Sequence, residues 1–339
     1  MSAIRVGVVG CGYWGPKLAR NFHEMADAEL AWLCDLSAVQ LARVATACPE
    51  ARLTTDFRDL LRTNVDAVVI ATPVSTHYGL AREVLESGRH VLVEKPLAMS
   101  EREATDLAEL ADERGLVAMV GHTFQHNPAV NAVRDLIRRG ELGDVYYIDA
   151  TRANLGLFQP DINVMWDLAP HDVSILLHLL GTDPEEVSAQ GAVCVQRRQC
   201  IHDLVYLKLF FPNGVMANVR VSWLDPVKTR RTIIVGSKKM VVYDDIADDK
   251  VVLYDKGVET PSYTVTPEEF HLSYRHGPET RIPVAWREPL RVECEDLIRC
   301  ITTGQRSCSD AWMGVKVVRV LEAAQRSLLN GGSRGPVAT

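Results

Sequence analysis

Short, continuously apolar runs alternate with amphipathic segments over the first 122 residues. The run Ile4–Val9 ends in glycine, which is typical of a parallel strand covered on both faces. Similar runs at 67–71 and 90–93 are separated by segments with helical spacing. The capping box Ser100-Glu-Arg-Glu103 predicts the start of a helix that ends at Gly115. Residues 1–122 are therefore predicted to form an α/β domain with a doubly wound parallel sheet.

The pattern changes after Gly121, and residues 123–339 are predicted to form a second domain. In Val215–Trp223 apolar and polar residues alternate, which indicates a strand with one packed face and one polar face. Late segments at 288–303 and 309–329 carry helical apolar stripes, and a flexible tail is expected from Asn330. We expect an α+β domain with a large, mostly antiparallel, open-faced sheet that binds substrate. The open face predicts a homodimer or homotetramer.

Size and composition set the broad class of protein. A chain of 339 residues, 47% hydrophobic and 24% charged, fits two globular domains. The formal charge of −7 without a basic run argues against nucleic acid as a partner. An apolar run of the ~18 residues needed to cross a membrane is absent from the sequence. The first strand begins too early for a signal peptide, and the eight cysteines form no CxxC pair, so a cytoplasmic location is expected.

A glycine-rich loop joins the first predicted strand to the first helix. Gly10-Cys-Gly12-Tyr13-Trp14-Gly15 has the GxGxxG spacing of a dinucleotide-binding loop. Gly10 permits the tight turn, Gly12 the approach of a pyrophosphate and Gly15 close helix–strand packing. Asp35 ends the second strand, where a carboxylate binds the adenosine ribose and repels a 2′-phosphate, although it could also cap the next helix. These residues predict NAD, rather than NADP, as the cofactor.

Two further motifs follow apolar strands, at the strand ends where a doubly wound sheet opens its ligand crevice. They are Ala71-Thr72-Pro73-Val-Ser-Thr-His77 and Glu94-Lys95-Pro96-Leu-Ala98. Together with the glycine loop they closely resemble the Gfo/Idh/MocA oxidoreductases, a resemblance that extends over essentially the whole chain. It implies an N-terminal Rossmann domain, a Lys95–Pro96 bond of the kind that is often cis, and a Lys95 that reaches substrate and nicotinamide ribose. It also implies that the cofactor is contacted by Tyr13, Trp14, Thr72, Pro73, His77 and Glu94.

The second domain contributes Trp166-Asp167-Leu-Ala-Pro170-His171-Asp172-Val-Ser174. Asp167 and His171 are four residues apart and share a face if this segment is helical. An imidazole titrates near neutrality and suits acid–base chemistry, and a carboxylate one turn away can orient it. Many members of the family carry an Asp and a His at this spacing, with the His as acid/base. The sequence departs from the family at Ser174, where many members have a second aspartate, so no role is assigned there.

These residues predict a specific reaction. His171 removes the proton from a secondary sugar hydroxyl, and Lys95 stabilises the alkoxide as hydride leaves for NAD. A metal ion is not expected, because lysine supplies the electrophilic assistance. His122 and His126 are four apart but have no third ligand in the pattern.

The segment Thr151-Arg152-Ala-Asn154-Leu-Gly156 further resembles a sub-branch of the family. That branch oxidises UDP-N-acetylglucosaminuronate or aminoglycoside precursors to 3-keto sugars ahead of an aminotransferase. Arg152 and Asn154 are candidates for binding sugar hydroxyls, or are polar residues at a strand edge. The following Leu157-Phe158-Gln159-Pro160 contains no cation, and Asp161, Asp167 and Asp172 lie nearby, which favours an uncharged or aminated glycoside of antibiotic biosynthesis.

Other classes fit less well. A zinc alcohol dehydrogenase would need converging cysteine and histidine spacings, and a short-chain dehydrogenase a mid-chain Tyr-xxx-Lys. The remaining alternative is a non-catalytic, NAD-sensing regulatory protein on the same scaffold. The presence of Lys95, Asp167 and His171 together favours the dehydrogenase.

Overall fold

The computed structural model describes residues 3–259 and 272–337. The chain divides into two compact units. The first comprises Met1–His126 and Arg287–Glu322, and the second comprises Asn127–Trp286 and Ala323–Thr339.

The strands and helices are numbered in chain order. The strands are β1 Ile4–Val9, β2 Ala28–Cys34, β3 Arg52–Thr54, β4 Ala67–Ile70, β5 His90–Val93, β6 Ala118–Val120, β7 Val145–Ala153, β8 Glu186–Ala192, β9 Leu204–Phe210, β10 Met216–Ser222, β11 Thr229–Gly236, β12 Met240–Asp244, β13 Val251–Glu259, β14 Ser273–Arg281 and β15 Gly335–Pro336. The helices are α1 Gly15–His23, α2 Ala38–Ala45, α3 Phe57–Leu61, α4 His77–Glu86, α5 Glu101–Arg114, α6 Pro128–Arg138, α7 Val164–Leu180, α8 Pro289–Thr303 and α9 Ala311–Leu329.

The first unit contains a parallel six-stranded sheet in the order β3-β2-β1-β4-β5-β6. This is the doubly wound arrangement that the alternating apolar runs predict, with the change of direction between β1 and β4. The predicted capping box is confirmed, because the Ser100 hydroxyl accepts a hydrogen bond from the Glu103 amide at 3.3 Å. Helix α5 ends at Gly115, whose φ of +64° is readily adopted by glycine.

Residues 287–322 also belong to the first unit, so the first unit is built from two segments of the chain. The apolar stripe of α8 explains the second segment. Leu290, Cys294 and Leu297 are buried in one hydrophobic core with Leu18 and Phe22 of α1. The sequence shows that α8 has an apolar face, but not which core that face joins.

The second unit is built on a nine-stranded sheet in the order β14-β13-β12-β11-β7-β10-β9-β8-β15. Only the β7–β10 pair is parallel among the described pairings of this sheet, so the mostly antiparallel prediction is confirmed. In β10 the residues Ala217, Val219 and Val221 are buried and Asn218 and Arg220 are less buried, as the alternation predicts, whereas the polar Ser222 at the strand end is also buried. The expected flexible tail is ordered instead, since Gly335 pairs with Val187 at the sheet edge.

Candidate active site

The glycine loop of the first unit has the geometry that a dinucleotide requires. Gly10 has φ +94°, and a Cβ there would lie 2.5 Å from the Ala71 carbonyl oxygen. A Cβ on Gly15 would collide with the carbonyl oxygen of Gly10, whereas the space around Gly12 is open to 4 Å. The turn therefore needs glycine for packing at two positions, and at Gly12 it leaves room for a pyrophosphate beside the N-terminus of α1.

Asp35 lies beside this loop, at the end of β2. Its carboxylate accepts hydrogen bonds from the Cys11 amide at 2.6 Å and from the Ser37 amide at 2.8 Å. The alternative in which Asp35 caps the next helix is wrong, because Ser37 is the N-cap of α2. Asp35 instead fixes the glycine loop against the end of β2, which is the position from which a carboxylate reaches a ribose.

Two aromatic residues within the loop, Tyr13 and Trp14, contact a lysine of α1. The Lys17 ammonium lies 3.6 Å from the ring centroid of Tyr13 and 4.3 Å from that of Trp14. Tyr13 is 68% exposed, so its ring is available to a ligand. The cation–π contacts hold a positive charge at the start of α1, where the helix dipole also favours anions.

The Ala71–His77 motif forms a tight turn after β4. The Thr72 and Thr76 hydroxyls are 2.7 Å apart, and the Thr76 amide donates to the Pro73 carbonyl at 2.9 Å. His77 is buried, with Nδ1 2.8 Å from the Pro96 carbonyl oxygen and Nε2 2.9 Å from that of Thr72. We therefore revise the prediction for His77 from cofactor contact to a bridge between two crevice loops.

The Glu94-Lys95-Pro96 motif follows β5 and contains a cis peptide bond between Lys95 and Pro96. Lys95 is half-buried, and Glu94 is buried with its carboxylate accepting from the Lys95 amide at 3.3 Å. Burial raises the pKa of Glu94 to about 7, although the Lys95 and Lys17 ammonium groups oppose this shift. Glu94 therefore changes charge near neutral pH, a property typical of functional sites.

Two buried titratable residues beside this motif were not predicted as site residues. Burial and the Lys95 charge lower the pKa of His122 to about 3, so its imidazole is neutral. Glu293 of α8 is buried, accepts a hydrogen bond from the Thr123 hydroxyl at 3.1 Å, and has a pKa raised by burial and then by Glu94. The sequence signal for Glu293 was an acid inside the apolar stripe of α8.

In the second unit, helix α7 presents the Asp167–His171 pair. Asn163 caps the helix by accepting hydrogen bonds from the Met165 and Trp166 amides at 3.1 and 3.2 Å. Most of the helix is buried, but Asp167, Leu168 and His171 are only partly so. The two predicted residues thus share one accessible face, one turn apart, as their spacing requires.

Asp167 is held by a residue outside the predicted motif. The indole Nε1 of Trp223 donates a hydrogen bond to Oδ2 of Asp167 at 3.0 Å. The Ser174 hydroxyl donates to the His171 carbonyl at 2.8 Å, so it forms a hydrogen bond with the backbone of α7.

The prediction that Arg152 binds sugar hydroxyls is revised. Its guanidinium forms two hydrogen bonds with Asp172, at 2.7 and 3.1 Å, and the side chains are only 5% and 4% exposed. The charge of Asp172 is therefore neutralised by Arg152. Asp172 no longer supports the prediction that the substrate carries an amino group. Arg152 fixes β7 to α7 next to His171. Asn154 is partly buried, and its amide donates only weakly to the Leu155 carbonyl, at 3.4 Å, so its substrate role stays a prediction.

Comparisons with known proteins agree with this geometry. Residues 4–122 match a family model described as an oxidoreductase family with an NAD-binding Rossmann fold, and residues 130–242 match the GFO/IDH/MocA C-terminal domain. The chain is 31% identical over 333 residues to UDP-N-acetylglucosamine 3-dehydrogenase of Acidithiobacillus ferrooxidans, with 96% of each chain covered. The chain belongs to the Gfo/Idh/MocA oxidoreductase family.

Other members of the Gfo/Idh/MocA family extend the comparison. Scyllo-inositol 2-dehydrogenase (NAD(+)) of Bacillus subtilis is 26% identical over 288 residues, covering 80% of this chain and 83% of the relative. The crystal structure of GenD2 from gentamicin A biosynthesis, in complex with NAD, has a TM-score of 0.83 and 26% identity, covering 99% of this chain and 97% of that one. This Gfo/Idh/MocA protein is thus an NAD-dependent oxidoreductase, and its glycine loop and Asp35 are the residues that fit the cofactor.

Within residues 3–259 and 272–337 there is no cluster of three or more His, Cys, Asp or Glu side chains suited to a metal ion. Over the same residues, helices lack the combined length and apolarity that crossing a membrane demands.

Proposed function

We propose that this protein oxidises a secondary hydroxyl at a C3-type position of a sugar, giving a 3-keto sugar. The observation that carries the proposal is the pairing of Asp167 with His171 on the accessible face of α7. It occurs in a chain whose dinucleotide-binding unit presents Lys95 after β5. Supporting it, the relative with 31% identity is named a sugar 3-dehydrogenase.

The proposed chemistry divides between three side chains. NAD, when bound, supplies the hydride acceptor. His171 takes the hydroxyl proton as the general base. Asp167 orients that imidazole. Lys95 lowers the energy of the alkoxide with its ammonium charge, and the half-buried setting strengthens this effect relative to water.

The preferred substrate is an uncharged or aminated glycoside, such as an aminoglycoside or antibiotic sugar precursor. The loop after β7 exposes Leu155 and Leu157, each 75% exposed, and carries no cation to pair with a diphosphate or uronate. The similarity to GenD2 supports this class. A nucleotide sugar is the second candidate, because the Acidithiobacillus relative is named for one.

A 3-keto sugar is reactive toward amines, so an aminotransferase is the reaction class that we propose to follow. We also propose that the open face of the nine-stranded sheet mediates a homodimer or homotetramer. Tyr147 and Tyr206 are exposed on the open face, on β7 and β9. Aromatic residues of this kind are enriched at subunit interfaces.

The direct test is a substrate screen with purified protein and NAD. Nucleotide sugars, inositols and aminoglycoside precursors are supplied in turn, NADH absorbance is followed, and an aminotransferase with an amino donor removes the ketone. We expect turnover on at least one glycoside, lost in His171→Gln and retained in the control His23→Gln, an exposed histidine on α1. Turnover that survives His171→Gln would refute the proposed base, and a panel without any turnover would refute the proposed activity.

A further inference from the structure

We propose that Trp223 is a positioning residue for the reaction, because it sets the orientation of the Asp167 carboxylate through one indole hydrogen bond. The inference rests on the proposed function, in which Asp167 orients His171. Trp223 lies 56 residues from Asp167 in sequence and belongs to none of the motifs that predict the site.

The hydrogen bond itself is well placed for this role. Nε1 of Trp223 lies 3.0 Å from Oδ2 of Asp167, and Trp223 is 1% exposed. An indole N–H can donate but cannot accept, so the bond requires an acceptor oxygen at this position. Because the donor is shielded from water, the Asp167 carboxylate gains more from this bond than it would at the surface.

The surroundings of Trp223 prevent its ring from turning away. Its backbone amide donates to the Asp203 carbonyl at 3.0 Å, and its carbonyl accepts from the Gly156 amide at 3.0 Å. A Cβ on Gly156 would lie 2.7 Å from Cδ1 of the indole, so only glycine allows the loop to lie directly on the ring. The Phe158 ring packs against it with centroids 5.4 Å apart.

These contacts hold the indole N–H of Trp223 in a fixed direction. The direction of the N–H is set by the end of β10 and by the loop at 154–158. The two oxygens of a carboxylate lie in one plane, so a fixed hydrogen bond to Oδ2 restrains the direction of Oδ1. A Phe in place of Trp223 keeps most of the bulk but removes this restraint.

A matched control lies next to Asp167 on α7. Trp166 is also buried, and its Nε1 donates to the Gln325 side chain at 3.2 Å. Trp166→Phe therefore removes an equivalent buried indole hydrogen bond from the same unit without touching Asp167. The comparison separates a general loss of packing from a specific effect on the carboxylate.

The kinetic test uses Trp223→Phe, Trp166→Phe and Asp167→Asn, alone and combined. Trp223→Phe should lower kcat roughly 10- to 100-fold with KM changed less than about 3-fold, since a hydrogen bond to a charged group is lost. Trp166→Phe should change kcat less than about 3-fold. In the Asp167→Asn background, Trp223→Phe should cost little more, because both changes act through one group. Independent, multiplicative losses would overturn the inference.

A second measurement needs no turnover. The protein has six tryptophans, so Trp223→Phe identifies one indole N–H signal in a ¹H–¹⁵N spectrum. Asp167→Asn should move that signal and leave the Trp166 signal in place. A Trp223 signal that ignores Asp167→Asn overturns the inference. A responsive signal without sugar oxidation by the wild-type protein supports the hydrogen-bond link and counts against the proposed function alone.

Discussion

The revised role of Arg152 makes a prediction about stability. Arg152 and Asp172 are almost fully buried and joined by two hydrogen bonds, at 2.7 and 3.1 Å. Asp172→Asn keeps the shape of the side chain but removes the negative charge that forms both hydrogen bonds with the guanidinium. Breaking a buried pair in this way costs about 3–5 kcal/mol, which corresponds to a fall of roughly 6–20 °C in Tm at about 2–4 °C per kcal/mol.

Calorimetry and urea unfolding measure this loss directly. The control is Asp249→Asn, which breaks an exposed pair with Arg281 in the same unit and should cost less than about 1 kcal/mol. The double change Arg152→Met with Asp172→Leu should restore most of the stability, because it removes both buried charges. If the free energy of unfolding of Asp172→Asn lies within about 1 kcal/mol of the wild-type value and KM rises instead, Arg152 is a substrate ligand and our revision is wrong.

Three further predictions concern the dinucleotide-binding unit. Lys95→Met should lower kcat by roughly 10²- to 10³-fold while NADH binding, followed by fluorescence, weakens less than about 10-fold; equal losses in both would contradict the proposed role. Asp35→Asn should reduce the preference for NAD over NADP, measured as a ratio of kcat/KM, by roughly 10- to 100-fold. Glu94→Gln should change stability little near pH 4.5 and raise it by up to about 3 kcal/mol above pH 7. The reason is that the carboxyl of the unfolded chain ionises from its ordinary pKa of 4.5, whereas burial keeps the folded carboxyl protonated up to its raised pKa of about 7. Urea denaturation at both pH values measures the difference, and equal effects at the two pH values would contradict the prediction.

Sequence patterns were sufficient where a local rule decides the structure. The run Ile4–Val9 is a strand with the predicted ends, and Ser100 and Gly115 bound α5 as their chemistry requires. The i, i+4 spacing of Asp167 and His171 places both on one accessible face of α7. In each case a few neighbouring residues fix the outcome, through apolar periodicity, a capping hydrogen bond or helical geometry.

Long-range partners explain what the local sequence patterns do not show. The sequence identifies Arg152 as a polar residue in a strand, but it does not show that Asp172 lies opposite. It suggests a cofactor contact for His77, but it does not show that the Pro96 carbonyl lies beside the imidazole. The sequence of α8 likewise does not show that the helix belongs to the first unit, because an apolar stripe does not indicate which core it packs against. Glu293 could have been suspected only because burying a carboxyl is costly, which makes an acid in an apolar stripe unusual.

The buried acids and imidazole beside Lys95 have a shared electrostatic consequence. At neutral pH His122 is uncharged, because burial and the Lys95 ammonium both hold its pKa near 3. Burial and then Glu94 raise the pKa of Glu293. Glu94 has a pKa raised to about 7, so its charge varies near neutral pH. When Glu94 is protonated, neither Glu94 nor His122 carries a charge that offsets the Lys95 ammonium, and in a medium of low dielectric the field of the ammonium on a developing alkoxide is correspondingly stronger. Burying the carboxyl groups of Glu94 and Glu293 lowers the stability of the folded protein. A role in keeping the Lys95 ammonium electrophilic explains why this cost is tolerated.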